Sequence, residues 1–328
     1  MEINFIFIIS LKHLIVYIRK FPFKILKEKY MKINNKTSQS IGFVGAGNMG
    51  LPMLKNLIKQ GFEVKVYDIN PKITKKLEKD KIKSVNNLRG IANSNFIISI
   101  LPDTNDVENV FNNRDGINSY LKPGTVVIDM STISSKSAVE IGKTLQKIQV
   151  DFLDAPVSGG VKGAQNGNLS IMVGGKKDIF KKSINILNCF GKNVIYAGKS
   201  GMGQIFKMCN QIMVGSHIQA MCEAFALCKS KGGNLNLLRE TLMGGSANSW
   251  MLENLGNHVI DKNDQAGFRI DLQLKDLRLA SEAAFESGVP LPGLSLVQTL
   301  YLGSRAHNEG KNGNQSLFKT YDRMTNQK

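Results

Sequence analysis

The chain has 328 residues, 42% of them hydrophobic, which suffices for a large core and about two domains. A balance of 43 Lys and Arg against 26 Asp and Glu gives a net charge of +17, an excess able to attract nucleic acid, membrane or acidic metabolites. Eight of the basic residues fall within residues 1–40 and the others are spread along helices without interleaved aromatics, which argues against a specific nucleic-acid surface. Cys189, Cys209, Cys222 and Cys228 lack CxxC spacing and His13, His217, His258 and His307 are scattered, so a disulfide framework and a metal site are both disfavoured.

Residues 1–39 read as a basic extension. Lys12, Arg19 and Lys20 interrupt its apolar stretches, so no membrane-spanning helix of about 20 apolar residues is expected, and no small-residue cleavage site follows. Two readings remain, residues ahead of a functional start at Met31 or a mitochondrial presequence, and the scarcity of Arg and Ser favours the first. The first implies a cytoplasmic protein and the second a mitochondrial-matrix one.

From Ser40 the text changes. IGFVGAGNMG at 41–50 is a β-type run followed at once by GxGxxG and then by a helical pattern, the strand, tight turn and helix context of a dinucleotide-binding loop. Gly45 permits the turn, Gly47 lets backbone approach a pyrophosphate and Gly50 lets helix pack on strand; Asn48 and Met49 complete the loop. EVKVYD at 63–68 predicts a second strand ending in Asp68, where a carboxylate can accept hydrogen bonds from an adenosine ribose and would repel a 2′-phosphate. Asp68 thus points to NAD over NADP, softened by nearby Lys72; the alternative is a strand-end Asp capping the helix at NPKITKKL.

Further strands are predicted at 95–101, 125–130, 150–156, 168–175 and 193–198, with helices between several of them. The alternation specifies an α/β fold, a doubly wound, mostly parallel Rossmann-type sheet. Its ligands gather at the carboxyl ends of the strands, so ILPDT and DMSTI should line the crevice. After residue 198 the pattern is helical, which predicts a dinucleotide-binding domain over 40–198 and an all-helical substrate and dimerisation domain over 199–328. Gly232 and Gly233, Gly244 and Gly245, and Pro290 with Pro292 punctuate its helices.

In the helix at 201–210, GMGQIFKMCN, Lys207 and Asn210 lie one turn apart and share a face, either solvated or part of a site. DAPVSGG at 154–160 offers the Ser158 hydroxyl and the open backbone N–H groups of Gly159 and Gly160, a cradle for a carboxylate or a plain tight turn.

GFVGAGNMG, ILPDT, DMSTI, DAPVSGG, the GxGxxxKxxN of 201–210 and GFRIDLQLKDLRLA at 267–280 occur in the order found in the β-hydroxyacid dehydrogenases, a family that residues 40–325 resemble. Members include 3-hydroxyisobutyrate dehydrogenase and 2-hydroxy-3-oxopropionate (tartronate semialdehyde) reductase. The resemblance implies an NAD(P)-dependent oxidoreductase acting on a small 3-hydroxy or 3-oxo carboxylate, with Lys207 as general acid and base. It implies that Asn210 orients substrate or lysine, although relatives often carry a second Asn where this chain has Gln211. Ser158, Gly159 and Gly160 would hold the carboxylate. Leu101 and Pro102 would pack on the cofactor, Thr132 would hydrogen-bond near the nicotinamide and Lys275 would reach back toward it, with Asp276 holding structure. Trp250 would cover the substrate or anchor a helix. A homodimer or homotetramer is expected.

GFRIDLQLKDL is more similar to the tartronate semialdehyde reductases than to 3-hydroxyisobutyrate dehydrogenases, which usually lack the Arg269 and Asp271 of this chain. Two readings from other classes are an imine reductase on the same scaffold and a dinucleotide-binding protein without catalysis; the presence of Lys207 argues against both.

Overall fold

The computed structural model describes residues 39–112 and 116–325, so the expectations for the N-terminal extension fall outside the described residues except for its last position. The first part alternates strand and helix: β1 (Ser40–Val44), α1 (Gly50–Lys59), β2 (Glu63–Tyr67), α2 (Pro71–Lys79), β3 (Phe96–Ser99), α3 (Thr104–Phe111), β4 (Val126–Asp129), α4 (Ser135–Lys147) and β5 (Asp151–Asp154). It continues through β6 (Val157–Ser158), α5 (Gly160–Gln165), β7 (Leu169–Gly175), α6 (Lys177–Leu187) and β8 (Gly191–Gly198).

These strands form one sheet of order β2-β1-β3-β4-β5-β7-β6, with β8 paired to β7. β1 to β5 are mutually parallel. Phe96–Ser99 and Val126–Asp129 are buried throughout, because helices cover both faces of a parallel sheet and the strands must be apolar on both. Edge strand β2 alternates between buried and accessible positions instead. The order reverses at β1, between β2 and β3, and a crevice opens at such a reversal beyond the carboxyl strand ends. One feature departs from the alternation: DAPVSGG contains the short strand β6, which runs antiparallel to β7 as β5 does.

Helices make up the second part: α7 (Met202–Ser230), α8 (Leu235–Met243), α9 (Trp250–Ile260), α10 (Ile270–Ser287), α11 (Pro292–Ala306) and α12 (Phe318–Thr325). Gly232 and Gly233 fall between α7 and α8, and Pro292 occupies the first turn of α11, where a missing N–H costs nothing. Ile218, Phe225, Leu277 and Tyr301 are fully buried in this second core. α7 has 29 residues and at 1.5 Å per residue runs about 44 Å, long enough to touch the sheet at one end and carry the helical core along the rest.

How α7 lands on the sheet determines where Lys207 points. Its buried start has no side-chain cap of its own. The carboxylate of Asp154, at the end of β5 and wholly inaccessible to solvent, accepts from the N–H of Gly201 at 2.8 Å and of Gln204 at 3.1 Å. Two of the orphan donors at a helix start are satisfied in this way. A Cβ at Gly203 would lie 2.4 Å from the Met172 carbonyl oxygen and 2.5 Å from that of Asp154, so only glycine lets the helix approach the strands this closely. Burial pushes the Asp154 carboxyl up to about 7, against the N–H groups of Gly201 and Gln204, which lower it.

Replacing Asp154 with Ala leaves both donors buried and unpaired, a cost of about 2 to 4 kcal/mol. Urea unfolding of Asp154→Ala is expected to show a lower midpoint at unchanged slope; a midpoint equal to that of the parent protein would mean that α7 does not depend on this cap.

Candidate active site

The glycine loop sits where the sequence places it, between β1 and α1, at the reversal of strand order. A Cβ at Gly50 would stand 1.9 Å from the Gly45 carbonyl oxygen, so this glycine serves the packing of loop on helix. A Cβ at Gly47 would meet nothing within 4 Å. No internal contact requires that glycine, which fits a close approach by a ligand from outside. Asn48 is exposed and Met49 packs against the sheet core.

Asp68 accepts from the N–H of Ala46 through Oδ2 at 2.7 Å and from that of Asn70 through Oδ1 at 2.8 Å. The capping alternative belongs to its neighbour: Asn70 is the cap of α2, its side chain accepting from Lys72 N–H at 3.0 Å. A carboxylate has about four acceptor sites, so two remain on Asp68 after these bonds, beside the glycine loop. Leu101 closes the other side; its N–H donates to Ser131 Oγ at 2.8 Å, and a Cβ at Gly45 would be 2.9 Å from its Cδ2. Pro102 next to it is exposed. Open backbone at Gly47, a carboxylate with free acceptor sites and an apolar wall fit a nicotinamide dinucleotide.

Lys207 lies in the seam between α7 and α10, only 5% exposed. Spacings of three and four put Gln204, Lys207 and Gln211 on one face of α7. Gln204 clamps the loop after β4: its Nε2 donates to Ser131 O at 2.9 Å and its Oε1 accepts from Ile133 N–H at 3.0 Å. Lys207 Nζ donates to Gln211 Oε1 at 3.0 Å, and Asn210 Nδ2 donates to that same oxygen at 2.8 Å. Gln211 Nε2 donates to Asp276 Oδ2 at 2.6 Å. The amide that touches the lysine is therefore that of Gln211, and Asn210 is a partner of Gln211.

From α10, Lys275 Nζ donates to the backbone oxygen of Thr132 at 2.6 Å and lies 2.9 Å from Asp276 Oδ1. Thr132 thus engages Lys275 through its main chain. Burial lowers Lys207 to about 8, with Asp276 pulling it up and the cation of Lys275 pushing it further down. An amine with that affinity can give and take a proton near neutral pH.

Lys207, Asn210, Thr132 and Lys275 are joined in one network; Gly45 to Gly50, Asp68 and Leu101 form a second group at the neighbouring strand ends. Ser158 closes β6, and Gly159 and Gly160 open α5. A Cβ at Gly160 would be 3.8 Å from Gly267 O, so this turn borders the segment leading into α10. Among the described residues neither Ser158 nor its two glycines hydrogen-bonds to Lys207. Trp250 is 58% exposed at the first turn of α9.

Residues 40–198 match the model of the NAD binding domain of 6-phosphogluconate dehydrogenase, and residues 201–321 that of the NAD-binding region of NADP-dependent 3-hydroxyisobutyrate dehydrogenase. The 2-(hydroxymethyl)glutarate dehydrogenase of Eubacterium barkeri is 35% identical over 88% of this chain and 96% of its own length. The 2-hydroxy-3-oxopropionate reductase of Escherichia coli is 35% identical over 88% of this chain and 99% of its own. The chain belongs to the β-hydroxyacid dehydrogenase family. A crystal structure of 3-hydroxyisobutyrate dehydrogenase from Salmonella typhimurium superposes with a TM-score of 0.77 at 29% identity, covering 86% of this chain and 99% of the other.

This β-hydroxyacid dehydrogenase is an NAD(P)-dependent oxidoreductase acting on the hydroxyl-bearing carbon of a small acid, and its fold is the Rossmann-type domain followed by a helical domain that the sequence predicts. Gln204 and Arg278 take part in the seam without having been singled out for it, whereas Gln211 is marked in the sequence as standing where relatives often carry a second Asn. Helical spacing from Lys207 could have raised Gln204; Arg278, which pairs with Asp103 through two bonds of 3.0 and 3.1 Å, carries no local signal.

The two glycines of the loop should separate by assay. Gly47→Ala is expected to leave thermal stability unchanged while weakening NADH binding by about tenfold or more, since its methyl projects only into the ligand's space. Gly50→Ala should lower the melting temperature even without cofactor. Equal binding by Gly47→Ala and the parent protein would place the pyrophosphate elsewhere.

Proposed function

We propose that this β-hydroxyacid dehydrogenase is a 2-hydroxy-3-oxopropionate (tartronate semialdehyde) reductase that prefers NAD to NADP and uses Lys207 as its acid and base. The observation that carries the chemistry is the buried amine of Lys207, brought to about 8 by desolvation in a seam that also holds Asn210 and Lys275. The substrate assignment is supported by GFRIDLQLKDL at 267–277 and by the similarity to the reductase of Escherichia coli. 3-Hydroxyisobutyrate dehydrogenase is the alternative within the family. The cofactor preference is supported by Asp68, whose carboxylate would repel a 2′-phosphate.

The loop at Gly45 to Gly50, with Asn48 and Met49, would hold the pyrophosphate at the start of α1, where the helix dipole favours an anion. Asp68 would hold the ribose, and Leu101, Pro102, Thr132 and Lys275 would flank the nicotinamide. When bound, that group supplies the hydride for reduction and takes it up in oxidation. Ser158 and the backbone N–H groups of Gly159 and Gly160 hold the substrate carboxylate, and Asn210 orients the reacting end. In reduction the Lys207 ammonium stabilises the charge developing on the carbonyl oxygen and transfers its proton there. In oxidation the neutral amine removes the proton from the hydroxyl.

The division at residue 198, with substrate and dimer contacts in the helical part, remains our reading. A homodimer or homotetramer is the assembly we expect, and the helical part exposes the large apolar side chains of Met213, Leu227, Leu237 and Phe285. A cytoplasmic location accords with four cysteines that have neither CxxC spacing nor the density of a secreted disulfide framework, and the mitochondrial matrix is the alternative.

A panel of tartronate semialdehyde, methylmalonate semialdehyde and 2-(hydroxymethyl)glutarate, run with both cofactors, tests the assignment. Tartronate semialdehyde with NADH is expected to give the highest kcat/KM; a preference for NADPH of about tenfold would overturn the role of Asp68. Lys207→Ala should lower kcat by about 10² to 10⁴ with NADH binding nearly unchanged.

The pH dependence has a definite sign. The ammonium is the donor, so reduction should decline as pH rises through about 8, and oxidation, which needs the amine, should climb through the same value. Profiles in both directions check this, and a reduction limb unmoved up to pH 10 would deny that burial tunes Lys207.

A further inference from the structure

We infer that Asp276, acting through Gln211, is a positioning device that fixes which way Lys207 and Asn210 present their polar atoms to the substrate; this rests on the reading of Lys207 as the acid and base. An amide side chain can be turned by half a rotation with little change in shape, so its polarity must be set by its partners. Here the partner at one end is an ionised carboxylate, which only accepts. Asp276 is 2% exposed, and its Oδ2 lies 2.6 Å from the Gln211 amide nitrogen. The opposite orientation would set two oxygens of buried side chains against each other at that distance.

With nitrogen toward Asp276, Oε1 of Gln211 must face Lys207 and Asn210, which it does at 3.0 and 2.8 Å. Both neighbours then have to be donors. Asn210 spends one Nδ2 hydrogen on Gln211, so its carbonyl oxygen and its second Nδ2 hydrogen are left for a substrate group. Lys207 spends one hydrogen on Gln211 in either protonation state. When the amine is neutral its lone pair cannot point at an oxygen that only accepts, and it is directed away from Gln211, in the orientation needed to remove a proton. One carboxylate therefore orders three side chains in sequence.

The charged groups that reach Lys207 are Asp276 and Lys275, both on α10. From the sheet side, Asp129 acts on Lys275 as the cation acts on it, and Asp129 and Asp154 act on one another. Lys275 is held between Thr132 O and Asp276, which keeps the carboxylate in place. Gln211 and Asp276 are 65 positions apart, so the device exists only when α7 and α10 are packed.

The test compares Gln211→Glu, Gln211→Leu and Asp276→Asn with the parent protein and Lys207→Ala, recording kcat, KM and the pH profile of tartronate semialdehyde reduction. NADH binding and melting temperature are measured in parallel. Gln211→Leu and Asp276→Asn are expected to lower kcat by about 10- to 100-fold, the range for removing a group that orients a reacting one, with NADH affinity retained. The alkaline limb should move to lower pH in Asp276→Asn, which loses a negative charge near the lysine, and to higher pH in Gln211→Glu, which gains one in contact with it. A purely structural role would not shift the limb in opposite directions in two folded variants. Parent-like kcat and limb in folded Gln211→Leu and Asp276→Asn, with Lys207→Ala inactive, would overturn the positioning device alone. Full activity in Lys207→Ala would overturn the underlying assignment.

Discussion

An ammonium taken out of water must be paid for by neighbours, or it loses its proton. Lys207 is nearly buried, and its surroundings are balanced so that neither happens completely. Desolvation pulls its proton affinity down and Lys275 adds to that, while Asp276 opposes both at one remove. With Gln211 between them, Asp276 attracts the lysine without forming the close ion pair that would hold the proton too tightly for exchange. The placement of α7, of α10 and of the strand ends can be understood from this requirement.

Three contacts, two buried and one part-buried, hold the seam. Asp154 caps α7 from the end of β5, Gln204 ties α7 to the loop after β4, and Lys275 ties α10 to Thr132 on that same loop. Arg278 with Asp103 also spans the two parts, but both side chains are more than a third exposed, and pairs of that kind contribute about 0 to 1 kcal/mol. The alignment of Lys207 with the cofactor crevice therefore depends on the three less accessible hydrogen bonds. Fixing Lys207 through helix ends and strand ends, and not through a long loop, suits the acid and base we propose it to be, a group that must be placed to within a fraction of an ångström.

Much of this was legible before any coordinates. The parallel strands announced themselves because burial on both faces forces unbroken apolar runs such as FII at 96–98 and VVI at 126–128. Glycines at 45, 47 and 50 lie at strand-to-helix junctions, and their spacing carries a steric meaning that a single sequence exposes. Lys207 was marked by the motif around it. What stayed hidden depends on juxtaposition: Gln211 with Asp276, Asp154 with the first turn of α7, Arg278 with Asp103. Each joins residues on separate elements, and neither periodicity nor composition encodes which helix face meets which strand end. The two-residue strand β6 was hidden for a different reason, since a segment that short has no period to detect.

The central claim is that burial, offset by Asp276 and Gln211, sets the proton affinity of Lys207 independently of any substrate. Titration of the free protein carrying isotope-labelled lysine, followed by nuclear magnetic resonance with the Lys207 signal assigned by its loss in Lys207→Arg, measures that property directly. The account predicts a midpoint near 8 for Lys207, below the ordinary lysine value of about 10.4. A Lys207 signal that titrates at the ordinary value would contradict it.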